Sequence, residues 1–252
     1  MSEAPVIRHL GLVPYEPTWR AMQAFTDERG PSTPDEIWFV EHPAVFTLGL
    51  NASREHLLSP GEIPVVQIDR GGQVTYHGPG QLLVYPLIDV RRRRLSVREL
   101  VVTLENAVIA CVADFGVLAS GSREAPGVYV GGAKLASIGL RIRRGACYHG
   151  LALNVSLDLT PFERINVCGH PGLTVTRLAD HVAGLAGEGA GAGAGAGVRA
   201  GASEVAAVET AAVETAAVET VARALTPHLL RLLKFTTDYS AINTDLQAVN
   251  SR

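Results

Sequence analysis

The chain has 252 residues, 47% of them apolar, and a formal net charge of −3. That length suits one domain with residues left over for an insert, and the near-neutral balance leaves no global footprint for nucleic acid. No apolar run reaches the ~18 residues a membrane helix needs, so no membrane span is expected.

The N-terminal MSEAPVIRHL has acidic and polar residues where a secretory signal has a basic start and an apolar run, so a soluble, cytoplasmic protein is expected. Residues 36–50, EIWFVEHPAVFTLGL, read as strand-like runs broken at His42-Pro43. GEIPVVQIDR (61–70) reads as a short strand running into a glycine-rich loop, RGGQVTYHGPGQ (70–81), where five of twelve residues are Gly or Pro beside several hydrogen-bonding side chains. Such a stretch brings backbone close to something small. QLLVYPLIDV (81–90) reads as another strand. Ser96 and Glu99 form an S-x-x-E capping box, which predicts a helix to about Phe115 with Leu100, Leu104, Ala107, Cys111 and Phe115 on one face. GVYVGGAKLASIGLRIRR (127–144) reads as a hairpin turning near Gly131-Gly132, ACYHGLALNVSLDL (146–159) as a strand, and INVCGHPG (165–172) as a loop.

Beyond residue 183 the composition changes. Residues 187–197 are almost purely Gly and Ala, as in a flexible insert, and AAVET then repeats three times over 206–220. A five-residue step turns a helix by about 140° net, so the Val residues form no continuous stripe and a solvated or loosely held helix is expected. Leu225, Leu229 and Leu232 restore an apolar face. The division expected is 1–183 as catalytic domain, 184–222 as insert and 223–252 as the closing helix and tail of the same domain. Short strands, capped helices and hairpin signals without regular βαβ alternation predict an α+β fold, a mixed β-sheet sandwich with flanking helices.

Of 22 basic residues only Lys134 and Lys234 are lysine. A chain that uses Arg by default has reason to keep lysine where a proton must be lost, which guanidinium cannot do. In a regular strand Lys134, Ala136, Ile138, Leu140 and Ile142 share a face, with Arg141 and Arg143 opposite. That sends Lys134 toward the apolar side; a lysine snorkelling to solvent is the plain alternative. Three Cys at scattered spacing argue against a disulfide framework. Cys111 sits on an apolar helix face, and Cys147 shares parity with Leu151, Leu153, Val155 and Leu157 if no bulge intervenes at Gly150. Both read as core. Cys168 lies in a Gly/Pro-rich loop where a thiol can meet a substrate. A partly desolvated amine near such a thiol favours the thiolate and can return its proton to a leaving group. A competing set is Cys147-x-His149 with Cys168-x-His170, a legitimate tetrahedral zinc ligand set at uncommon spacing. His77 and His149 read as loop-holding and pocket-lining histidines.

RGGQVTYHGPGQ, GVYVGGAKLASIGLRI, HGLALNV and INVCGHPGLTVTRL, in that order over about 36–180, resemble the lipoyl(octanoyl) transferase family. The resemblance implies the fold of the lipoate and biotin protein ligase catalytic domain. It also implies transfer of an octanoyl (or lipoyl) group from acyl carrier protein to a specific lysine. The acceptors implied are lipoyl domains of 2-oxoacid dehydrogenase complexes and the glycine cleavage H protein. The nucleophile falls on Cys168 and its acid/base partner on Lys134. The substrate-lining segments fall on Arg70, Gly71, Gly72, Gln73, Val74, Thr75, Tyr76 and His77, on Ser137, Ile138 and Gly139, and on Gly150, Leu151 and Ala152. No cofactor and no metal are implied, because thioester exchange is nearly isoenergetic and amide formation runs downhill without ATP. An ATP-dependent lipoate or biotin ligase on the same fold is the near alternative, and a non-catalytic zinc module the distant one. Backbone N–H groups of the 168–170 loop are candidate oxyanion donors. Arg91–Arg94, Arg141, Arg143 and Arg144 could steer acidic protein partners; a solvated basic face is the plain alternative.

Overall fold

The computed structural model describes residues 4–182 and 204–235, with side chains from Ala217 onward in the second stretch. The Gly/Ala run at 187–197, the side chains of the first two AAVET repeats and the tail beyond 235 lie outside the described residues. The described elements are β1 (Val6–Leu12), α1 (Tyr15–Glu28), β2 (Glu36–Glu41), β3 (Val45–Leu48), β4 (Val65–Gln67), β5 (Val74–His77), β6 (Gln81–Leu87), α2 (Val97–Asp114), β7 (Ser120–Gly121), β8 (Gly127–Val130), β9 (Ala133–Arg143), β10 (Ala146–Asn154) and α3 (Glu204–Leu232). Seven strands form one sheet in the order β1-β2-β6-β10-β9-β8-β7, and β4-β3-β5 form a second. Parallel pairs (β1 with β2, β3 with β4) sit beside antiparallel ones, so the fold is the mixed α+β type expected.

His42-Pro43 marks the point where the chain leaves one sheet for the other. Every residue of β2, β6 and β10 is buried, as their near-continuous apolar runs require of strands covered on both faces. Helices α2 and α3 cover one face of the large sheet. That core holds Leu100, Leu104 and Cys111 from α2, Val221, Leu225 and Leu229 from α3, and Cys147, Leu151 and Leu153 from β10. Helix α1 covers the opposite face with Trp19 and Met22 against Trp38, Tyr85 and Tyr148. The Ser96–Glu99 capping box forms in both directions and starts α2 where its spacing predicts. Gly131 and Gly132, both at positive φ, make the two-residue turn between β8 and β9.

Three expectations change. VTYH (74–77) inside the glycine-rich stretch is a buried strand, β5, paired with β3. Helix α3 runs unbroken through residue 222, and its third AAVET repeat is not loosely held: Ala217 and Val218 are buried, and Val221 lies against α2, where its carbonyl meets Cys111 Sγ. The basic run is largely intramolecular. Arg92 and Arg93 pair with buried Asp35 at 2.6 and 2.7 Å, and Arg93 also lies over the Phe235 ring. Arg143 and Arg144 both reach Asp27. These pairs consume charge that was a candidate for docking.

Candidate active site

A cavity of about 50 Å³ opens between β5, the middle of β9 and β10, the start of α1 and the 167–169 loop. Arg70, Gly71, Gly72, Gln73, Val74, Thr75 and His77 line one side. Ser137, Ile138 and Gly139 of β9 and Gly150, Leu151 and Ala152 of β10 line the other, with Cys168 at the edge. Tyr76 does not line it. Strand alternation turns its ring to the far side of β5, onto Phe46 and Phe162. Tyr15, Leu83, Tyr85 and His149 complete the wall.

Cys168 sits in a single 3₁₀ turn with φ 56° and ψ 19°, the left-handed region that costs a non-glycine residue roughly 1–3 kcal/mol. Gly169 N donates to Asn166 O (2.9 Å), His170 N to Val167 O (3.0 Å), and Asn166 N to His56 O (2.8 Å), which holds the turn in that shape. The amides of 169 and 170 are therefore spent inside the loop and do not form the oxyanion site expected of them. The sulfur is half-buried, whereas Cys111 and Cys147 are fully enclosed on the helix side of the sheet. Burial pushes Cys111 up to about 12 and raises Cys147 further. Cys147 and Cys168 thus lie in different surroundings, and among the described residues no three His, Cys, Asp or Glu side chains gather as a metal site.

Lys134 is 1% exposed, yet it does not lie on the face that regular parity assigns. In the β8–β9 pairing Val128 faces Ala136 and Tyr129 faces Lys134, so β9 carries one extra residue, Leu135, in a bulge. Paired residues share a face. Lys134 therefore turns away from Ala136 and the helix core to the side of Ser137, which lines the cavity. Gly127 makes room for it: a Cβ there would stand 2.8 Å from Lys134 Cε and 2.9 Å from Nζ. Lys134 Nζ donates to Pro126 O and to the Tyr129 hydroxyl, each at 3.0 Å. Among the described residues no hydrogen bond joins it to Cys168 Sγ. The backbone of Lys134 pairs with Thr174 and Thr176, just past the cysteine loop, so lysine and thiol belong to one end of the molecule.

Arg70 is a buried guanidinium bonded only to neutral acceptors. Nη2 donates to Thr47 O and Oγ1, and Nη1 donates to Gly71 O, all at 2.9 Å. Three of its five N–H groups are so used among the described residues. Burial lowers its proton affinity, offset by the neighbouring Tyr15 and Cys168. Gly139 clears its path, since a Cβ there would lie 3.0 Å from Arg70 Cδ.

Asp69, one residue earlier, gathers Trp19 Nε1 (2.8 Å), Gln23 Nε2 (3.1 Å), the Tyr148 hydroxyl and His149 Nε2 (2.8 Å). Burial works to raise its carboxyl, but the bonds from His149, Tyr148 and Trp19 hold it well below the usual range. His77, stacked on Tyr15, is kept neutral by burial and bridges Gln81 Oε1 (2.7 Å) and Thr47 Oγ1 (3.2 Å). Sequence reasoning missed Tyr15, Thr47, Asp69 and Tyr85. Only Asp69 left a signal, a carboxylate directly ahead of the Arg-Gly-Gly.

The family model for the lipoyl protein ligase A/B catalytic domain matches residues 14–187. The chain is 61% identical over 174 residues to an octanoyltransferase of Alkalilimnicola ehrlichii, covering 69% of this chain and 81% of that protein. It is 60% identical over 180 residues to an octanoyltransferase of Pseudomonas syringae pv. tomato, covering 71% and 83%. The fold is similar to a bi-partite lipoate protein ligase of Thermoplasma acidophilum (TM-score 0.65, 15% identity, 99% of this chain and 91% of that one). It is also similar to lipoate-protein ligase A bound with ATP (TM-score 0.64, 15% identity, 94% and 89%).

Proposed function

The chain belongs to the lipoyl protein ligase A/B catalytic domain family and is an octanoyltransferase of protein lipoylation, and from that premise we propose that Cys168 carries the octanoyl group between donor and acceptor while Lys134 moves the proton. The donor in this reading is octanoyl-acyl carrier protein. The acceptor is a lysine on a lipoyl domain, of a 2-oxoacid dehydrogenase complex or of the glycine cleavage H protein.

The observation that carries the reading is the thiol itself: a half-exposed cysteine, held in a left-handed turn, at the edge of a cavity walled by apolar side chains and glycine backbone. Burying most of an eight-carbon chain, about six methylene groups at ~0.8 kcal/mol each, supplies roughly 5 kcal/mol of acyl recognition. The space of about 50 Å³ is small for an eight-carbon chain, so the chain enters by moving side chains at the mouth.

In the loading half, Cys168 Sγ attacks the donor thioester carbonyl and Lys134 Nζ takes the thiol proton. For this the amine swings from Pro126 O and Tyr129 toward the sulfur, on the face where the β9 bulge has put it. The tetrahedral oxyanion meets the two N–H groups of Arg70 that are uncommitted among the described residues. The C–S bond to the carrier then breaks, and Lys134 returns the proton to the departing thiolate. In the transfer half the acceptor amine attacks the Cys168 thioester and the octanoyl amide leaves. Two acceptors used in turn by one sulfur predict ping-pong kinetics. Intact mass after mixing with octanoyl-acyl carrier protein, without ATP, tests the reading. One octanoyl group should appear, be absent in Cys168→Ser and persist in Cys111→Ala. An adduct retained by Cys168→Ser refutes it.

A further inference from the structure

Proton balance separates the two halves of this reaction, given the reading above that Cys168 carries the acyl group. In loading, one thiol replaces another. The proton that leaves Cys168 ends on the departing thiol, and none is left over. In transfer, the acceptor lysine arrives as an ammonium at neutral pH, its ordinary pKa being ~10.4. Its nitrogen carries three protons, and the amide keeps one. The C–N bond forms, the C–S bond breaks, and the sulfur takes one proton back. One proton remains, and the Lys134–Cys168 pair, restored to its starting state, has no place for it.

His149, which lines the same cavity, has an unpartnered ring nitrogen among the described residues. Its ring is 1% exposed and lines the cavity with Cys168. Nε2 lies 2.8 Å from Asp69 Oδ1. Asp69 also accepts from Trp19, Gln23 and Tyr148, a set of donors suited to an ionised carboxylate. Facing that carboxylate, Nε2 carries the hydrogen, and Nδ1 of the neutral ring is a bare acceptor. Nδ1 is enclosed and has no hydrogen-bond partner among the described residues. Leaving a buried acceptor unmet is unfavourable. The backbone adds to that cost: His149 has φ 58°, which departs from strand alternation and stacks its ring on Tyr148 (5.0 Å), so both side chains reach Asp69. Strain of this kind persists where the surrounding structure enforces it, often at a working site.

We infer that His149, oriented by Asp69, is the proton acceptor of the amine-transfer half-reaction, its Nδ1 taking the proton that the incoming lysine ammonium must lose. Asp69 is the positioning residue. The charged and titratable groups around the ring are Asp69, Tyr148, Arg70, Arg141 and His77. Burial chiefly lowers the ring's proton affinity and Asp69 opposes it, with a net lowering. The imidazolium is therefore short-lived and hands its proton on to solvent.

Two single-turnover rates test this: loading of Cys168 from an octanoyl thioester, and transfer from the isolated octanoyl-enzyme to a lipoyl-domain lysine, both read by intact mass. His149→Asn and His149→Gly suit the positive φ, so one serves if the other fails to fold. Transfer should fall about 100-fold, at least tenfold more than loading does, and imidazole in the buffer should raise the transfer rate of the Gly variant. Equal losses in the two halves, or transfer at the wild-type rate, overturn the inference. A wild-type enzyme that never loads Cys168 sinks the underlying reading instead, so the two failures are told apart.

Discussion

On the helix side of the large sheet, Cys147, Leu151 and Leu153 of β10, followed by Val155, enter the core against α2 and α3, and only position 149 leaves the alternating series. On the cavity side, alternation is broken where chemistry is placed. A bulge at Leu135 re-aims Lys134, and a left-handed residue re-aims His149. A second left-handed residue, Cys168, sits in the loop at the cavity. Regular strands suffice to bury apolar area. Bringing an imidazole and a thiol to one cavity, and turning an amine to the same side of its sheet, goes with departures from regularity, whose cost the packed helix side must cover.

That contrast is sharpest between thiols. Cys168→Ser should lower transfer by at least about 10³-fold with its melting temperature nearly kept, while Cys147→Ala should leave the acyl adduct and cost about 1 kcal/mol of stability. Similar activity losses in both variants would erase the distinction. Next in size, Lys134→Arg should lose about 100-fold or more in turnover although its charge is kept, because guanidinium does not release its proton. A variant retaining most of its activity removes the acid/base role.

The cavity side should also be more sensitive to acid. His42, enclosed beside it, bonds Val13 O (2.6 Å) and the Tyr85 hydroxyl (2.9 Å). Burial lowers its pKa to about 4, opposed by the Val13 bond. The unfolded histidine, near 6.5, binds the proton more readily. Stability is thus fully present above pH 6.5 and declines as pH falls toward 4, by on the order of 3 kcal/mol from this group. Denaturant titrations of the wild type and His42→Phe at pH 7 and 4 would read it; parallel losses in both proteins count against it.

The smallest effect tests the bulge. Gly127→Ala puts a Cβ against Lys134 Nζ and 2.4 Å from Ala136 O, at φ +148°. Activity should fall about tenfold as the lysine is displaced, and Gly131→Ala, in open space on the same hairpin, should cost less activity. Equal activity in the two variants would mean that Gly127 does not hold the lysine's place.

Local chemistry wrote much of this molecule into its sequence. Periodicity and capping marked α2, the Gly131-Gly132 turn marked the β8–β9 hairpin, and apolar runs marked β2, β6 and β10, because each depends on neighbours within a few residues. The motif segments around residues 70, 137, 150 and 168 were also legible, and their backbones converge on one cavity. What the chain alone left undecided depends on partners far along it. Arg93 reads as a surface charge until Asp35 and Phe235 arrive beside it. Lys134 reads as facing the apolar side until the register with Val128 and Tyr129 exposes the bulge. Asp69 stands unremarked at the end of a short strand until α1 and β10 bring four donors to it. Strand register and long-range hydrogen bonds are properties of pairs of segments, so only the folded chain decides which face a side chain takes and what it meets there.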